Sequence, residues 1–453
     1  MCKEFSSVRI NIFIIAVSAL LMVVVLNLPF KAKPFGDDTF HLEAKNMALY
    51  LKGKVGYEKV TVSKAPGPVF FYTPAYLIAP ADSTDNQLWI YGVVFTSIII
   101  TISMILIFRI GSSFFSKEVG LLAVLLFFLF PIHSYYSLGI LAEGPAFFSL
   151  SLALYGWSLA FHNPKKNLGW ILLIIGMWFL IINRPNTMLL LGFGSIVIFY
   201  SWFKNKPFFY TYGKKMVLAF VAVAALGFGT LEIAKTITSG KTNVNQEFLF
   251  FYVAHEGRFQ FREEPTDFRF WDDAIRGDSK DYQNWVQSIK ELGTEIGTTG
   301  KPFTEVYKDF LITDALNHPF WFTRQFFVKC FYGYMYFINS VTPEHFNLGP
   351  FHGASGYAVF IILINLINFV VIVGAIVFLI TQKNLINYWL FWCIILSLLL
   401  FHGLTYMEPR YIFPSKVAVN IMSAAGLYHI GFIKRFMNKV SRYFFQERSV
   451  RID

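Results

Sequence analysis

Two adjacent carboxylates, Asp37 and Asp38, stand where the chain leaves its first apolar run, inside KPFGDDTFHLEAKNMALYLKG at residues 33–53. A positioned carboxylate can take a proton from a hydroxyl or an amine. Residues of complementary chemistry recur further along. Lys64 opens KAPGPVFFYTP, Glu143 falls in LAEGPAFFSLSLALYGW, and Arg184 falls in NRPN. Glu408, Arg410 and Tyr411 come together in MEPRYIFP, and His41 follows the Asp pair by one helical turn. Lys and Arg suit a phosphate and the charge that builds on it as it leaves. A base plus a phosphate clamp describes transfer of a group from a phosphate ester. Each residue alone has a plainer reading. An Asp at a helix start caps it and gains about 0.3–1 kcal/mol from the helix dipole. The others can snorkel or cap at a membrane surface. Their weight comes from lying on one side of a membrane, which depends on the elements that carry them.

Of 453 residues, 55% are hydrophobic and 15% charged, with a mean hydropathy of +0.51. Uncharged runs recur from end to end, which implies an all-α polytopic membrane protein. Ten runs are candidate spans: 10–28, 87–108, 118–133, 140–161, 168–182, 187–203, 216–235, 356–380, 386–402 and 411–431. Lys3 and Arg9, Arg109 and Lys117, Lys165 and Lys166, Lys204 to Lys215, Lys383, and the basic tail from Lys434 to Arg451 occupy alternate connections. The positive-inside rule makes these cytoplasmic, with both termini inside. The net charge of +11 is therefore a topology signal and gives no support to nucleic-acid binding. The first run has no small-residue cleavage site after it and reads as a retained anchor. Of three cysteines, Cys2 and Cys393 lie near or in the membrane and Cys330 outside it, so no disulfide framework is expected. The absence of any Asn-x-Ser/Thr acceptor points to a bacterial plasma (inner) membrane.

Two large outer segments follow from this topology, 29–86 and 236–355. They divide the chain into a catalytic membrane module over 1–235, an outer cap over 236–355, and a C-terminal module over 356–453 with further spans and a basic tail. In the first outer loop, Phe40, Ala44, Met47 and Leu51 share one helical face, which predicts a short amphipathic helix flat on the outer surface and stopped by Gly53. Pro66 and Pro68 predict an extended turn after it. Residues 318–337 are apolar but carry Arg324 and Lys329, which predicts an aromatic helix in the outer interface and not an eleventh span.

The acidic pair opening an outer amphipathic helix resembles the acidic motif of the type C glycosyltransferases. The nearest groups are the protein O-mannosyltransferases, the lipid A aminoarabinose transferases and the bacterial family 39 membrane glycosyltransferases. Lys64-Ala-Pro-Gly-Pro is similar to their Lys-Pro-Pro-type segment, Glu143-Gly-Pro-Ala-Phe-Phe to their second acidic motif, and Arg410-Tyr411-Ile-Phe-Pro414 to their late Arg-Tyr-x-x-Pro. The resemblance covers residues 10–235 and the last two spans. It implies transfer of a sugar from a polyprenyl monophosphate carrier to a lipid, glycan or protein acceptor on the outer face, with inversion. It makes Asp37 the catalytic base with Asp38 as neighbour or substitute, Lys64 the donor-phosphate ligand, and Arg410 a second cation. Glu143 would orient that cation or the acceptor. Arg184, Glu408, Tyr411 and His41 join these as substrate-binding candidates. The resemblance fixes no cofactor and leaves a divalent cation open, since Glu143 stands where the family commonly has Asp.

The main alternative is a multi-span transporter or flippase for a lipid-linked or anionic substrate. It needs polar groups near the bilayer midplane, and the mid-span positions here are nearly clean. An O-antigen polymerase or ligase would rely on Arg-rich outer loops. A scaffold would leave Asp37 and Lys64 replaceable. No P-loop, His-Glu-x-x-His or nucleophile elbow occurs.

Overall fold

The computed structural model describes residues 9–20, 38–129, 139–239, 246–266, 276–335, 347–348 and 351–445. These are helical apart from one two-residue pairing, Asn347–Leu348 with Phe351–His352, and short turns. The chain forms two compact units. The first comprises Met1–Thr238, Val370–Ile395 and Phe413–Asp453; the second comprises Ser239–Phe369 and Leu396–Ile412.

Among the described residues, six helices are long and apolar enough to cross a membrane: Asp85–Phe114, Glu143–His162, Pro185–Lys204, Lys206–Thr238, Gly353–Thr381 and Leu385–Leu404. The protein is a polytopic helical membrane protein. The other predicted spans are shorter over their described residues. Arg9–Leu20 and Asn167–Asn183 are short apolar helices, and Lys117–Phe128 runs up to residues outside the described set. The last predicted span, 411–431, corresponds to Arg410–Leu427, after which the chain turns by 106° into Gly431–Arg442 of the basic tail.

We number the elements that matter below α1 (Arg9–Leu20), α2 (Asp38–Leu51), α3 (Pro66–Ile78), α4 (Asp85–Phe114), α5 (Lys117–Phe128), α6 (Glu143–His162), α7 (Asn167–Asn183), α8 (Pro185–Lys204) and α9 (Lys206–Thr238). Helices α6 and α7 form an antiparallel hairpin whose backbones nearly touch. A Cβ on Gly156 would lie 2.3 Å from the Leu173 nitrogen, and one on Gly176 would lie 2.3 Å from the Ala153 nitrogen. Only glycine allows that approach. The hairpin therefore brings the first residue of α6 and the residue after α7 to the same end.

Helix α2 begins at Asp38 and stops at Gly53, as its sequence predicts. Gly53 has φ +67°, its N–H donates to Tyr50 O, and Lys54 N–H reaches back to Leu49 O, which closes a left-handed helix stop. Its buried face differs from the predicted one. Phe40, Ala44 and Ala48 are buried, whereas Leu51 is 58% exposed. The reason is α3, which packs along α2 and needs small residues beneath it: Val69, Tyr72, Ala75 and Tyr76 share one core with Phe40, Ala44 and Ala48. The same core takes in Leu88 of α4, Ile140 and Ala142 before α6, and Ala234 of α9. The prolines also act differently from expectation. Ala65 is extended, but Pro66 occupies the first position of α3, so the prolines start a helix and make no extended turn. A proline's fixed φ suits that position and its missing N–H costs nothing there.

In the second unit, α10 (Gln246–Phe259), α11 (Lys280–Thr299), α12 (Phe303–Asn317) and α13 (Pro319–Met335) are followed by α14 (Gly353–Thr381), which runs into the first unit, and α15 (Leu385–Leu404), which returns from it. The chain ends on α16 (Lys416–Leu427) and α17 (Gly431–Phe445) of the first unit. Helix α13 coincides with the predicted aromatic helix. Its two charges turn inward: Lys329 is 1% exposed, and Arg324 donates to Arg262 O.

Candidate active site

At the start of α2, Asp37 lies outside the described residues, and Asp38 is the first helical residue, its side chain likewise outside them. Lys64 comes to this end of α2, with its Nζ 5.7 Å from the centroid of the Phe40 ring, two residues past Asp38. A buried clamp holds it there. Glu43 Oε1 accepts both the Ser63 N–H (2.7 Å) and the Ser63 hydroxyl (2.6 Å). Glu43 is 3% exposed and its Oε2 has no hydrogen-bond partner among the described residues. A buried carboxylate tied by two donors to one short segment fixes that segment's path, and the next residue is Lys64.

Glu143 and Arg184 form an ion pair across the end of the α6–α7 hairpin, with side chains 3% and 12% exposed. Glu143 opens α6 and Arg184 follows the last residue of α7, its N–H bonded to Leu180 O at 2.8 Å. Each charge thus sits at the helix end whose dipole favours it. Helix α3 sets this end of the bundle in place twice over. A Cβ on Gly67 would lie 2.5 Å from Asn183 Oδ1, so α3 starts in direct contact with the end of α7. The Tyr72 hydroxyl lies 3.0 Å from Gly139 O and 2.9 Å from Leu141 O, and accepts the Leu141 N–H at 3.1 Å. Burial pushes the Tyr72 phenol up, which keeps it a neutral donor to the segment before Glu143.

His41 faces a relay that the sequence reading missed. Its Nδ1 is 2.8 Å from the Tyr76 hydroxyl and its Nε2 3.5 Å from Asp85 Oδ1. Lys45 Nζ donates to the same Asp85 oxygen at 2.7 Å. Asp85 lies in the first turn of α4 after the Thr84 cap, but only the core that α2, α3 and α4 share makes it a partner of His41.

The second unit gathers the remaining candidates. Arg410 pairs with Glu408 and lies 5.2 Å from the Tyr411 ring centroid, and Tyr411 stacks on His402 at 4.9 Å. A polar clamp secures the segment leading to them. The Gln260 amide bonds Met407 on both sides, Nε2 to O at 2.7 Å and Oε1 from N–H at 3.0 Å. Lys329 Nζ donates to Gly257 O at 2.5 Å and Thr405 O at 2.7 Å. Burial, then Arg258, holds the Lys329 ammonium well below the lysine range. The structure thus brings Asp38, Lys64 and His41 to α2, joins Glu143 to Arg184 beside the same core, and groups Glu408, Arg410 and Tyr411 in the other unit.

No three His, Cys, Asp or Glu side chains cluster among the described residues. Glu143, the residue that the resemblance left open as a cation ligand, faces a guanidinium in place of further anionic ligands.

No family model and no curated protein matches this chain. In structure it is similar to an archaeal oligosaccharyltransferase, AglB from Archaeoglobus fulgidus, solved in complex with an inhibitory peptide and a dolichol-phosphate. The TM-score is 0.51 at 14% identity, covering 97% of this chain and 52% of that one. The chain spans about half the length of that protein. At this identity the likeness is one of fold alone: a polytopic helical membrane fold shared with that protein.

Proposed function

We propose that the protein is a membrane glycosyltransferase that moves a sugar from a polyprenyl monophosphate carrier to a lipid, glycan or protein acceptor on the outer face of a bacterial plasma membrane. The observation that carries the reading is the placement of Lys64 over the first turn of α2, locked by the Glu43–Ser63 clamp, with the Glu143–Arg184 pair packed around the same core. A cation at the helix end that carries the acidic pair gives a phosphate and a base adjoining places. The fold shared with an enzyme solved with dolichol-phosphate supports the donor class.

The roles follow from the groups. Lys64 neutralises the donor phosphate as its bond to the anomeric carbon breaks. The acceptor oxygen or nitrogen forms the new bond from the opposite face, inverting the centre, and its proton passes to Asp37 or Asp38. The helix end favours an ionised carboxylate, hence a weak base that takes the proton late, with positioning supplying much of the rate. Glu143 orients the Arg184 guanidinium toward the acceptor side. Within the type C enzymes, the motifs favour the family 39, aminoarabinose transferase and O-mannosyltransferase groups.

The test uses membranes carrying the protein and radiolabelled polyprenyl-phosphate sugars. Asp37→Asn or Asp38→Asn, whichever is the base, loses about 3 kcal/mol of transition-state stabilisation, roughly a hundredfold in rate. Lys64→Ala raises the donor KM. Full activity in all three variants returns the acidic pair to helix capping. Movement of intact donor across the bilayer without sugar transfer would favour the flippase reading. Arg410→Ala tests separately the role that the resemblance gives that residue.

A further inference from the structure

The C-terminal helix α17 is not absorbed by the proposed chemistry. Its residues GFIKRFMNKVSRYFF divide into three lengthwise strips. Ile433, Met437, Ser441 and Phe444 recur at spacings of four, four and three and form the packed side. Met437 is 0% exposed, the Ser441 hydroxyl donates to Glu118 Oε1 of α5 at 2.6 Å, and the Phe444 ring lies 5.2 Å from Phe13 of α1. Arg435, Lys439 and Arg442, spaced four and three apart, lie on the opposite side and are exposed, as is Lys434. Between these strips stand Phe432 and Phe436, one turn apart, 66% and 60% exposed. Among the described residues, no carboxylate pairs with any of the four cations.

The bend fixes where this pattern lies. The apolar segment Arg410–Leu427 is buried along most of its length, and α17 leaves it at 106°. If α16 runs across the bilayer, α17 runs along its surface. A helix packed on one side, with an aromatic strip beside a basic one, has the form of an in-plane interfacial helix whose rings enter the acyl boundary while its cations stay at headgroup level. Four cations that no carboxylate among the described residues answers complement a surface of negative charge. A partner protein would have to match the aromatic strip and the basic strip together, at a site the membrane already occupies.

We infer that α17 is a membrane-plane anchor that binds anionic phospholipid headgroups through Lys434, Arg435, Lys439 and Arg442, with Phe432 and Phe436 inserted beside them. On the charge reading this is the cytoplasmic leaflet. The inference does not depend on the proposed transferase activity.

The test places a fluorophore on Phe436→Cys in the full-length protein with Cys2→Ser, and takes the signal of Cys330 and the buried Cys393 as the blank. The protein is reconstituted in nanodiscs of phosphatidylcholine, with and without phosphatidylglycerol, each doped with a lipid that carries a nitroxide near its headgroup. Quenching is expected to rise severalfold with phosphatidylglycerol and to fall back as salt is raised. Lys434→Gln, Arg435→Gln, Lys439→Gln and Arg442→Gln combined should abolish the difference. Should that variant fail to fold, the salt titration of the unneutralised protein still decides. Quenching that ignores both lipid charge and salt overturns the proposal. Strong protection of the label in both lipids, with crosslinking to a second copy, overturns it in favour of a protein interface.

Discussion

Each unit holds an acid–guanidinium cluster, and the two are built differently. In the second unit Asp314 lies between two arginines at 7% exposure: Arg258 Nε donates to it at 2.7 Å and Arg262 Nη2 lies 2.9 Å away. Arg258 also donates to Gln325 Oε1, whose amide returns bonds to Arg258 O and Gln260 O, and the Phe322 ring lies 4.9 Å from its guanidinium. Arg258 in the last turn of α10, Arg262 just past that helix and Asp314 in the last turn of α12 form a network closed by several partners that ties the unit together. In the first unit Glu143 and Arg184 meet at helix ends, each brought from a separate element, beside α3, the helix that Lys64 precedes. Residue types are the same in the two places. An acid shared by two guanidiniums, one of them also held by a glutamine amide, serves the fold, whereas on the proposed function a single pair at the end of the α6–α7 hairpin is placed to meet a substrate.

The contrast breaks or holds on measurements, the largest first. Asp314→Asn removes the counter-charge of two buried guanidiniums and should cost about 3–5 kcal/mol, read as a lower thermal midpoint in detergent, with sugar transfer retained by the folded fraction. Glu143→Gln breaks a pair at least as buried and should cost a comparable amount of stability, but with transfer by the folded fraction reduced at least about tenfold. Equal ratios of activity to stability loss in these two variants would erase the distinction. His255 sharpens it by pH. It is fully buried, its Nε2 is 2.9 Å from Ser288 Oγ, and burial, opposed by Asp314, pushes its pKa down to about 4. The unfolded chain therefore binds a proton that the native imidazole refuses, so stability is full above about 6.5 and should fall by up to about 3 kcal/mol as pH drops toward 4. His255→Gln should flatten that fall, seen in thermal midpoints across the window. The smallest effect expected is Gly67→Ala. Its Cβ would press on Asn183, shifting α3 from the end of α7 at a cost of about 1–3 kcal/mol, with an accompanying loss of transfer.

Much of this was legible beforehand, and the misses share a cause. The start of α2, its stop at Gly53, and the placing of Glu143 and Arg184 at span ends all follow from local rules. Which face of α2 is buried did not, because Ala48 and Leu51 fit the 3.6-residue period equally well. The closeness of α3 chose the smaller residue. Pro66 was misplaced because its fixed φ suits an extended turn and a helix's first residue alike. Asp85 went unnoticed as the shared partner of His41 and Lys45, since 40 residues separate it from Lys45.

What the sequence by itself determined was the solvent of each segment. Long apolar runs must bury their backbone in helices, short basic connections set a sidedness, and glycine and capping residues mark where helices end. The tertiary structure decided which charge answers which. Glu143 finds Arg184 because glycines let α6 and α7 touch, Lys64 finds α2 because Glu43 grips Ser63, and Lys329 finds two carbonyls inside the second unit. A buried charge is costly unless paired, and its partner can come from any part of the chain that packing delivers. No local pattern encodes that choice.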